Sequence, residues 1–260
     1  MWSGESGTIM EKVEIHLWCA YPDDLLDEET ADACLRLLSE DERARWRAFK
    51  FERHRREYLA THALARTALS HHAALPREAL RFRLNAHGKP FVEPECGLRF
   101  NLSNSPGLVV CLIGKDVAVG VDVEPQTRAK SIAEVGPRMF SPRELAQLER
   151  LHDDQRPGRL LPLWTVKEAY SKARGMGLAL PLDRVSILLD EAGNMRMEMD
   201  PGFDDEPDRW RFSVLEHAGH CIALMVESST APELQAWEAR IPSTVPERLT
   251  PVNGHWFPVP

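Results

Sequence analysis

An α+β fold made of two similar lobes is predicted by three observations. Each half of the 260-residue chain runs from helical segments into strands, and this order starts again near residue 118. Two segments, Ser39-Glu-Asp-Glu42 and Ser141-Pro-Arg-Glu144, carry full helix-start signatures, with serine as cap and glutamate three positions on. Short apolar-alternating runs, separated by Asn, Gly, Pro and Asp turns, supply the strands. No repeat of residues or low-complexity tract accompanies the repeated element order.

In chain order, residues 13–19 alternate as a strand, and Ser39 opens a helix followed by a basic stretch from Arg43 to Arg56. Leu59, Ala63, Leu64 and Ala68 fall at helical spacing within 58–71. Asn85-Ala-His-Gly-Lys-Pro90 is a turn between strands 80–84 and 91–92. Strands at 98–103, 108–113 and 117–124 follow. Ser141 opens the next helix, and a helix over 161–173 stops at Gly175 and Gly177. Residues 185–189, 195–199, 210–215 and 221–226 read as strands. After Ser228 the chain is proline-rich and aperiodic. The expected division is an N-terminal lobe over 1–118 with an extension, a lobe over 119–230, and an arm over 231–260 in which no chemistry is legible.

A net charge of -8 and a pI of about 5.7 argue against a constitutive binder of nucleic acid or of a membrane surface. No apolar run approaches the roughly 20 residues of a membrane span. The start, Met1-Trp-Ser-Gly-Glu-Ser-Gly, has neither the positive region nor the apolar stretch of a signal peptide, and Met10 offers an alternative start. The five cysteines are scattered without a CxxC, which reads as reduced thiols in a cytoplasmic protein.

The chemistry concentrates in two segments. In Gly120-Val-Asp-Val-Glu124 the valines of a strand share one face, and Asp122 and Glu124 share the other. Two such carboxylates repel unless they are solvated or bridged by a cation. In Trp164-Thr-Val-Lys-Glu-Ala-Tyr-Ser-Lys172 a helix puts Glu168 and Lys172 on one face at i, i+4. Three carboxylates and a lysine suit a magnesium site that handles a pyrophosphate. The blander readings are a solvated edge strand and a surface ion pair contributing about 0.3–0.5 kcal/mol. The basic stretch is either a solvated helix face or a phosphate patch. His54, His62, His71 and His72 show no metal-ligand pairing and read as packing or surface residues.

Taken in order, Gly88-Lys-Pro90, Phe100-Asn-Leu-Ser103, Gly120-Val-Asp-Val-Glu124, Phe140-Ser-Pro-Arg-Glu144 and the 164–172 segment resemble the motif series of the Sfp-type 4'-phosphopantetheinyl transferases. The resemblance spans residues 88–178, with a looser fit before it. It implies a pseudo-twofold monomer with coenzyme A between the lobes. The implied reaction moves the phosphopantetheine arm to a serine of an apo acyl, peptidyl or aryl carrier protein and releases adenosine 3',5'-bisphosphate.

The resemblance further implies Asp122, Glu124 and Glu168 as ligands of Mg2+, with Mn2+ an alternative. It puts Lys172 on the α-phosphate and Glu168 beside the serine proton. Lys89, Ser103 and Asn104 fall to coenzyme A; separately, the local positive cluster suits its 3'-phosphate, with Arg53 and Arg56 the candidates and Arg66 a further one. Many relatives place a histidine where this chain has Asn104, which donates a hydrogen bond but carries no charge. Residues 125–140, with Arg128, Lys130 and Arg138, match the family's carrier-docking region; ordinary loop charges are the alternative. Trp164 reads as core, and Lys167 as either a carboxylate partner or a solvated charge.

Two other classes compete. A metal-dependent phosphohydrolase of coenzyme A or a nucleotide would release bisphosphate without any carrier. A non-catalytic coenzyme A- or carrier-binding protein would have no use for the complete acidic set.

Overall fold

The computed structural model describes residues 12–73, 75–135, 138–190, 194–243, 247–248 and 256–257. The N-terminal extension and Met10 lie outside them, as do parts of the proline-rich segment.

The first half contains strand β1 (Glu14–Ala20), helices α1 (Glu28–Leu37), α2 (Glu40–Ala48) and α3 (Glu52–Ala73), hairpin β2 (Arg81–Leu84) and β3 (Pro90–Glu93), then β4 (Leu98–Ser105) and β5 (Leu108–Lys115). The second half repeats this order. Strand β6 (Val119–Pro125) leads to α4 (Ala129–Val135), α5 (Pro142–Glu149) and α6 (Arg156–Arg174), then hairpin β7 (Val185–Leu189) and β8 (Met195–Met199), β9 (Trp210–His217) and β10 (His220–Glu227). Strand order repeats too: β1-β5-β4 in one sheet and β6-β10-β9 in the other. The expected α+β fold of two similar lobes is thus the observed one, and the repeat turns over between Lys115 and Val119.

Both serine caps form as expected. Ser39 Oγ accepts the Glu42 N–H at 3.3 Å while the Glu42 carboxylate accepts the Ser39 N–H at 2.8 Å. Ser141 and Glu144 exchange the same bonds at 3.2 and 2.6 Å. Helix α6 begins at Arg156, five residues before the expected start. Pro157, Gly158 and Pro162 look like breakers, yet Pro157 occupies the first turn, where its missing N–H costs nothing. Helices α1 and α4 leave little trace in the sequence pattern. Each buries only a narrow apolar stripe, Cys34 and Leu37 in α1 and Ala129 and Ile132 in α4.

Four layers result. Leu59, Ala63, Leu64 and Ala68 of α3 pack with Trp18, Phe100, Val109, Cys111 and Ile113 on one face of the first sheet. Leu163, Val166, Ala169 and Tyr170 of α6 pack with Phe212, Cys221, Ala223 and Met225 on the second sheet. The remaining faces of the two sheets meet through Ile15, Leu17, Val110 and Leu112 against Val121, Val123, Ile222 and Leu224. Each large apolar side chain so buried contributes about 1.5–3 kcal/mol.

The segment expected as an arm departs from that reading. It supplies β11 (Glu233–Glu238), which pairs in parallel with β1 and returns the chain to the first lobe's sheet. Short strands β12 (Glu247–Arg248) and β13 (Trp256–Phe257) extend the first and second sheets respectively.

Candidate active site

The two sheets present β4 and β6 to each other as edge strands, and side chains bridge the gap. The Val121 N–H donates to Asn101 Oδ1 at 2.8 Å, and the Val123 N–H donates to Ser103 Oγ at 3.3 Å. Asn101 and Ser103 alternate on β4, so both reach β6 and satisfy strand N–H groups that a sheet neighbour would otherwise take. This is the local reason for the Phe-Asn-Leu-Ser pattern. The opposite face of β6 is covered by α6, so Asp122 and Glu124 are buried, at 5% and 4% exposure.

A cavity of about 350 Å³ opens here, lined by Leu102, Ser103, Asn104, Asp122, Val123, Glu124, Arg128, Trp164, Glu168 and Lys172. Strands β4 and β6 and helix α6 thus bring Ser103, Asn104, Asp122, Glu124, Glu168 and Lys172 together from well-separated stretches of the chain. Lys172 Nζ donates to Asp122 Oδ1 at 2.7 Å and to Ser103 Oγ at 2.8 Å, while Ser103 Oγ–H donates to Asp122 Oδ1 at 3.0 Å. Glu124 accepts from Arg128 and, at 3.2 Å, from Trp164 Nε1. Arg128 also sits 5.7 Å from the centre of the Trp164 ring. Burial, and then the charge of Asp122, hold the Glu168 carboxyl above the usual carboxylate range. Burial raises Glu124 as well; the Arg128 bond opposes this, and Asp122 adds to it.

Among the described residues no three His, Cys, Asp or Glu side chains converge into a ready-made metal cage. Lys172 and Ser103 each bond one oxygen of Asp122, and Arg128 and Trp164 bond Glu124. One atom remains to be accounted for. Asp122 Oδ2 is buried without a hydrogen-bond partner, which ordinarily costs about 1–3 kcal/mol or more for a charged group. An unpaired carboxylate oxygen beside two further carboxylates fits a hard divalent cation. Magnesium commonly takes only one or two carboxylates and completes its shell with water and substrate phosphates.

Three expected coenzyme A contacts are placed elsewhere. Lys89 does not line the cavity: its ammonium donates to the carbonyls of Val119 and Ala173, each at 2.9 Å. Arg53 lies exposed, 3.7 Å from Glu57 and hydrogen-bonded to His54, and Arg56 reaches Asp23 at 3.5 Å. Arg53 is solvated, whereas Arg56 is half-buried against the first lobe. Arg66 is fully buried and donates to Leu80 O at 2.8 Å and to Glu42 at 2.6 Å, a structural tie between α2 and α3. Lys167 is structural too, paired with Glu144 at 2.5 Å and bonded to Val185 O at 2.7 Å. Arg128, expected only as a docking-loop charge, instead enters the cavity. Its position four residues after Glu124, just past the strand end, is the signal that it can fold back.

Comparison with known proteins matches two family models. Residues 118–225 match the 4'-phosphopantetheinyl transferase superfamily, and residues 27–115 match the 4'-phosphopantetheinyl transferase N-terminal model. The chain is 30% identical over 227 residues to the 4'-phosphopantetheinyl transferase HetI of Nostoc sp., covering 86% of this chain and 92% of that one. It is 29% identical over 179 residues to the 4'-phosphopantetheinyl transferase Sfp of Bacillus subtilis, covering 69% and 79%. With a phosphopantetheinyl transferase of Thraustochytrium sp. it shares 32% identity over 207 residues, covering 75% and 72%.

Proposed function

The chain belongs to the 4'-phosphopantetheinyl transferase superfamily and transfers phosphopantetheine to carrier proteins, and from that premise we propose how the carboxylate cavity does so. The donor is coenzyme A, whose pyrophosphate enters the cavity between β4 and β6. Asp122, Glu124 and Glu168 would hold Mg2+, or Mn2+, which when bound neutralises phosphate charge and polarises the phosphoryl group. The single observation that carries this assignment is that Asp122, Glu124, Glu168 and Lys172 line one cavity, with Asp122 Oδ2 left without a partner.

Lys172 brings a positive charge already positioned by Asp122 and Ser103, where it can meet a phosphate oxygen. As a phosphate enters, Lys172 can shift a hydrogen bond to it without losing Asp122. Asn104 is exposed at the rim and can donate from its amide. Glu168 lines the cavity beside Lys172 and is placed to accept the carrier serine's proton, directly or through water. The serine oxygen then bonds to the β-phosphorus. The bridging P–O bond breaks, and its electrons leave with adenosine 3',5'-bisphosphate, whose developing charge Lys172 stabilises.

The carrier would dock beside α4, where Lys130 on the helix and Arg138 after it are exposed and suit an acidic partner. A cytoplasmic monomer is the form we propose. Among the described residues no helix is long and apolar enough to cross a membrane.

The test is transfer by Asp122→Ala and Glu168→Ala, with circular dichroism melts to confirm folding. Each variant should lose at least about 100-fold in rate while melting cooperatively, the usual scale for an electrostatic or acid-base group. Near-wild-type transfer by either would overturn the assignment.

A further inference from the structure

The β2–β3 turn belongs to the first lobe, yet its polar groups bond to the second. Asn85 Oδ1 accepts the backbone N–H groups of His87 and Lys89, both at 2.9 Å, which shapes the turn. Its Nδ2 then donates to Gly175 O at 2.9 Å. Lys89 Nζ donates to Val119 O and Ala173 O, also at 2.9 Å each.

These carbonyls are not arbitrary. The last carbonyls of a helix have no partner within it. At the end of α6 the Gly175 N–H reaches Ser171 O at 3.0 Å and Lys172 O at 3.2 Å, and the hairpin takes the carbonyls of Ala173 and Gly175. A cation there also faces the negative end of the helix dipole. The same ammonium takes the carbonyl of Val119, the first residue of β6. Gly175 adopts a left-handed conformation, φ 64°, and a Cβ there would meet Lys89 Cδ at 3.0 Å and Asn85 Nδ2 at 3.1 Å. The turn is therefore seated directly against the helix terminus.

We infer that Lys89 is a positioning residue for the transfer reaction. By joining Val119 O to Ala173 O, with Asn85 on Gly175 O, it sets the spacing between the strand of Asp122 and Glu124 and the helix of Glu168 and Lys172. The lever arms are short: Lys172 directly precedes Ala173, and Asp122 is three residues after Val119. Burial, and then the charge of Arg99, lower the Lys89 ammonium to about 8, in keeping with its half-buried seat against the helix end. This inference rests on the cavity assigned above as the site of transfer. It differs from a coenzyme A phosphate contact, which would act on substrate affinity.

The two roles separate in steady-state kinetics with coenzyme A varied and carrier and Mg2+ saturating. Lys89→Met keeps the alkyl stem and removes the donors. It should lower kcat about tenfold or more, as expected of a small misplacement of reacting groups, and leave KM for coenzyme A within about threefold. Amide hydrogen exchange over 119–123 and 170–175 should quicken in the same variant. Aminoethylation of Lys89→Cys restores an amine of nearly the same reach and should recover most of kcat, with wild type treated in parallel to control for native thiols. A rise of about tenfold in KM with unchanged kcat would overturn the inference in favour of a phosphate contact, and wild-type kinetics would overturn it outright.

If Lys89→Met fails to fold, Asn85→Asp keeps an acceptor for the His87 and Lys89 N–H groups and removes the donor to Gly175 O. A kcat loss of about two- to fivefold supports the clamp, and no loss overturns it. Asp122→Ala assayed alongside separates the two claims. Full transfer by that variant would overturn the site, whereas an inactive Asp122→Ala beside a wild-type-like Lys89→Met would overturn only the clamp.

Discussion

Gly120 offers a sharp test of the geometry because it forms the contact between β6 and α6. A Cβ at this position would lie 2.1 Å from Ala169 O, 2.5 Å from Ala173 N and 2.9 Å from Ala173 Cα. All three are backbone atoms, so no side-chain rotation relieves the clash. An ordinary C···O contact is about 3.3 Å, so Gly120→Ala requires α6 and β6 to separate by about 1 Å. The Lys172–Asp122 contact, now 2.7 Å, would stretch beyond hydrogen-bond length. Overpacking of this kind costs about 1–3 kcal/mol, and a 1 Å displacement of reacting groups costs on the order of 100-fold in rate. Urea melts and kcat for transfer measure the two effects separately. A Gly120→Ala protein within about 0.5 kcal/mol of wild type, with kcat within threefold, would refute the close packing of strand and helix.

Three further outcomes follow from other parts of the molecule. Glu144→Gln leaves Lys167 buried without its counter-charge and should cost about 3–5 kcal/mol in denaturant unfolding; a loss under about 1 kcal/mol would contradict the buried pair. Arg128→Ala releases Glu124 from an internal cation, so the Mg2+ concentration for half-maximal rate should fall about three- to tenfold. A higher Mg2+ requirement would show that Arg128 assists the metal instead of competing with it. His72 is held down to about 4 by burial, and then by His16 stacked at 4.0 Å and by His71, so the unfolded chain takes up a proton at higher pH than the folded one. Stability should therefore be full above about pH 6.5 and decline as the pH falls towards about 4. His72→Gln, which keeps an acceptor for the Trp18 N–H, should flatten that decline in Tm, and an unchanged slope would rule out His72 as its source.

What is legible in the sequence is mostly local. Ser39 and Ser141 announce their helices because cap and partner lie three residues apart, and the β4–β6 and β7–β10 strands carry their alternation in contiguous runs. Asp122, Glu124, Glu168 and Lys172 can be paired from sequence pattern, since a strand and a helix each fix a face. Strand β11 is hidden because Leu234, Ala236 and Trp237 make no clean alternation within a proline-rich stretch, and its partner β1 lies at the other end of the chain. The placement of Lys89, Arg53 and Arg56 is beyond local pattern altogether. A turn lysine that clamps two carbonyls and one that grips a phosphate have the same neighbours in sequence. Arg128 similarly reaches Glu124 only because the chain turns at the end of β6. Asn101 falls within a motif, but its role depends on two edge strands meeting, which no window of sequence contains.

The most direct measurement of the central claim follows both products at once. An apo carrier protein is incubated with the wild-type chain, coenzyme A and Mg2+, the carrier's intact mass is recorded, and adenosine 3',5'-bisphosphate is quantified. The account predicts carrier heavier by one phosphopantetheine arm on its serine, one bisphosphate released per arm attached, and neither product with Asp122→Ala. Bisphosphate released without any gain in carrier mass, or full transfer by Asp122→Ala, would contradict it.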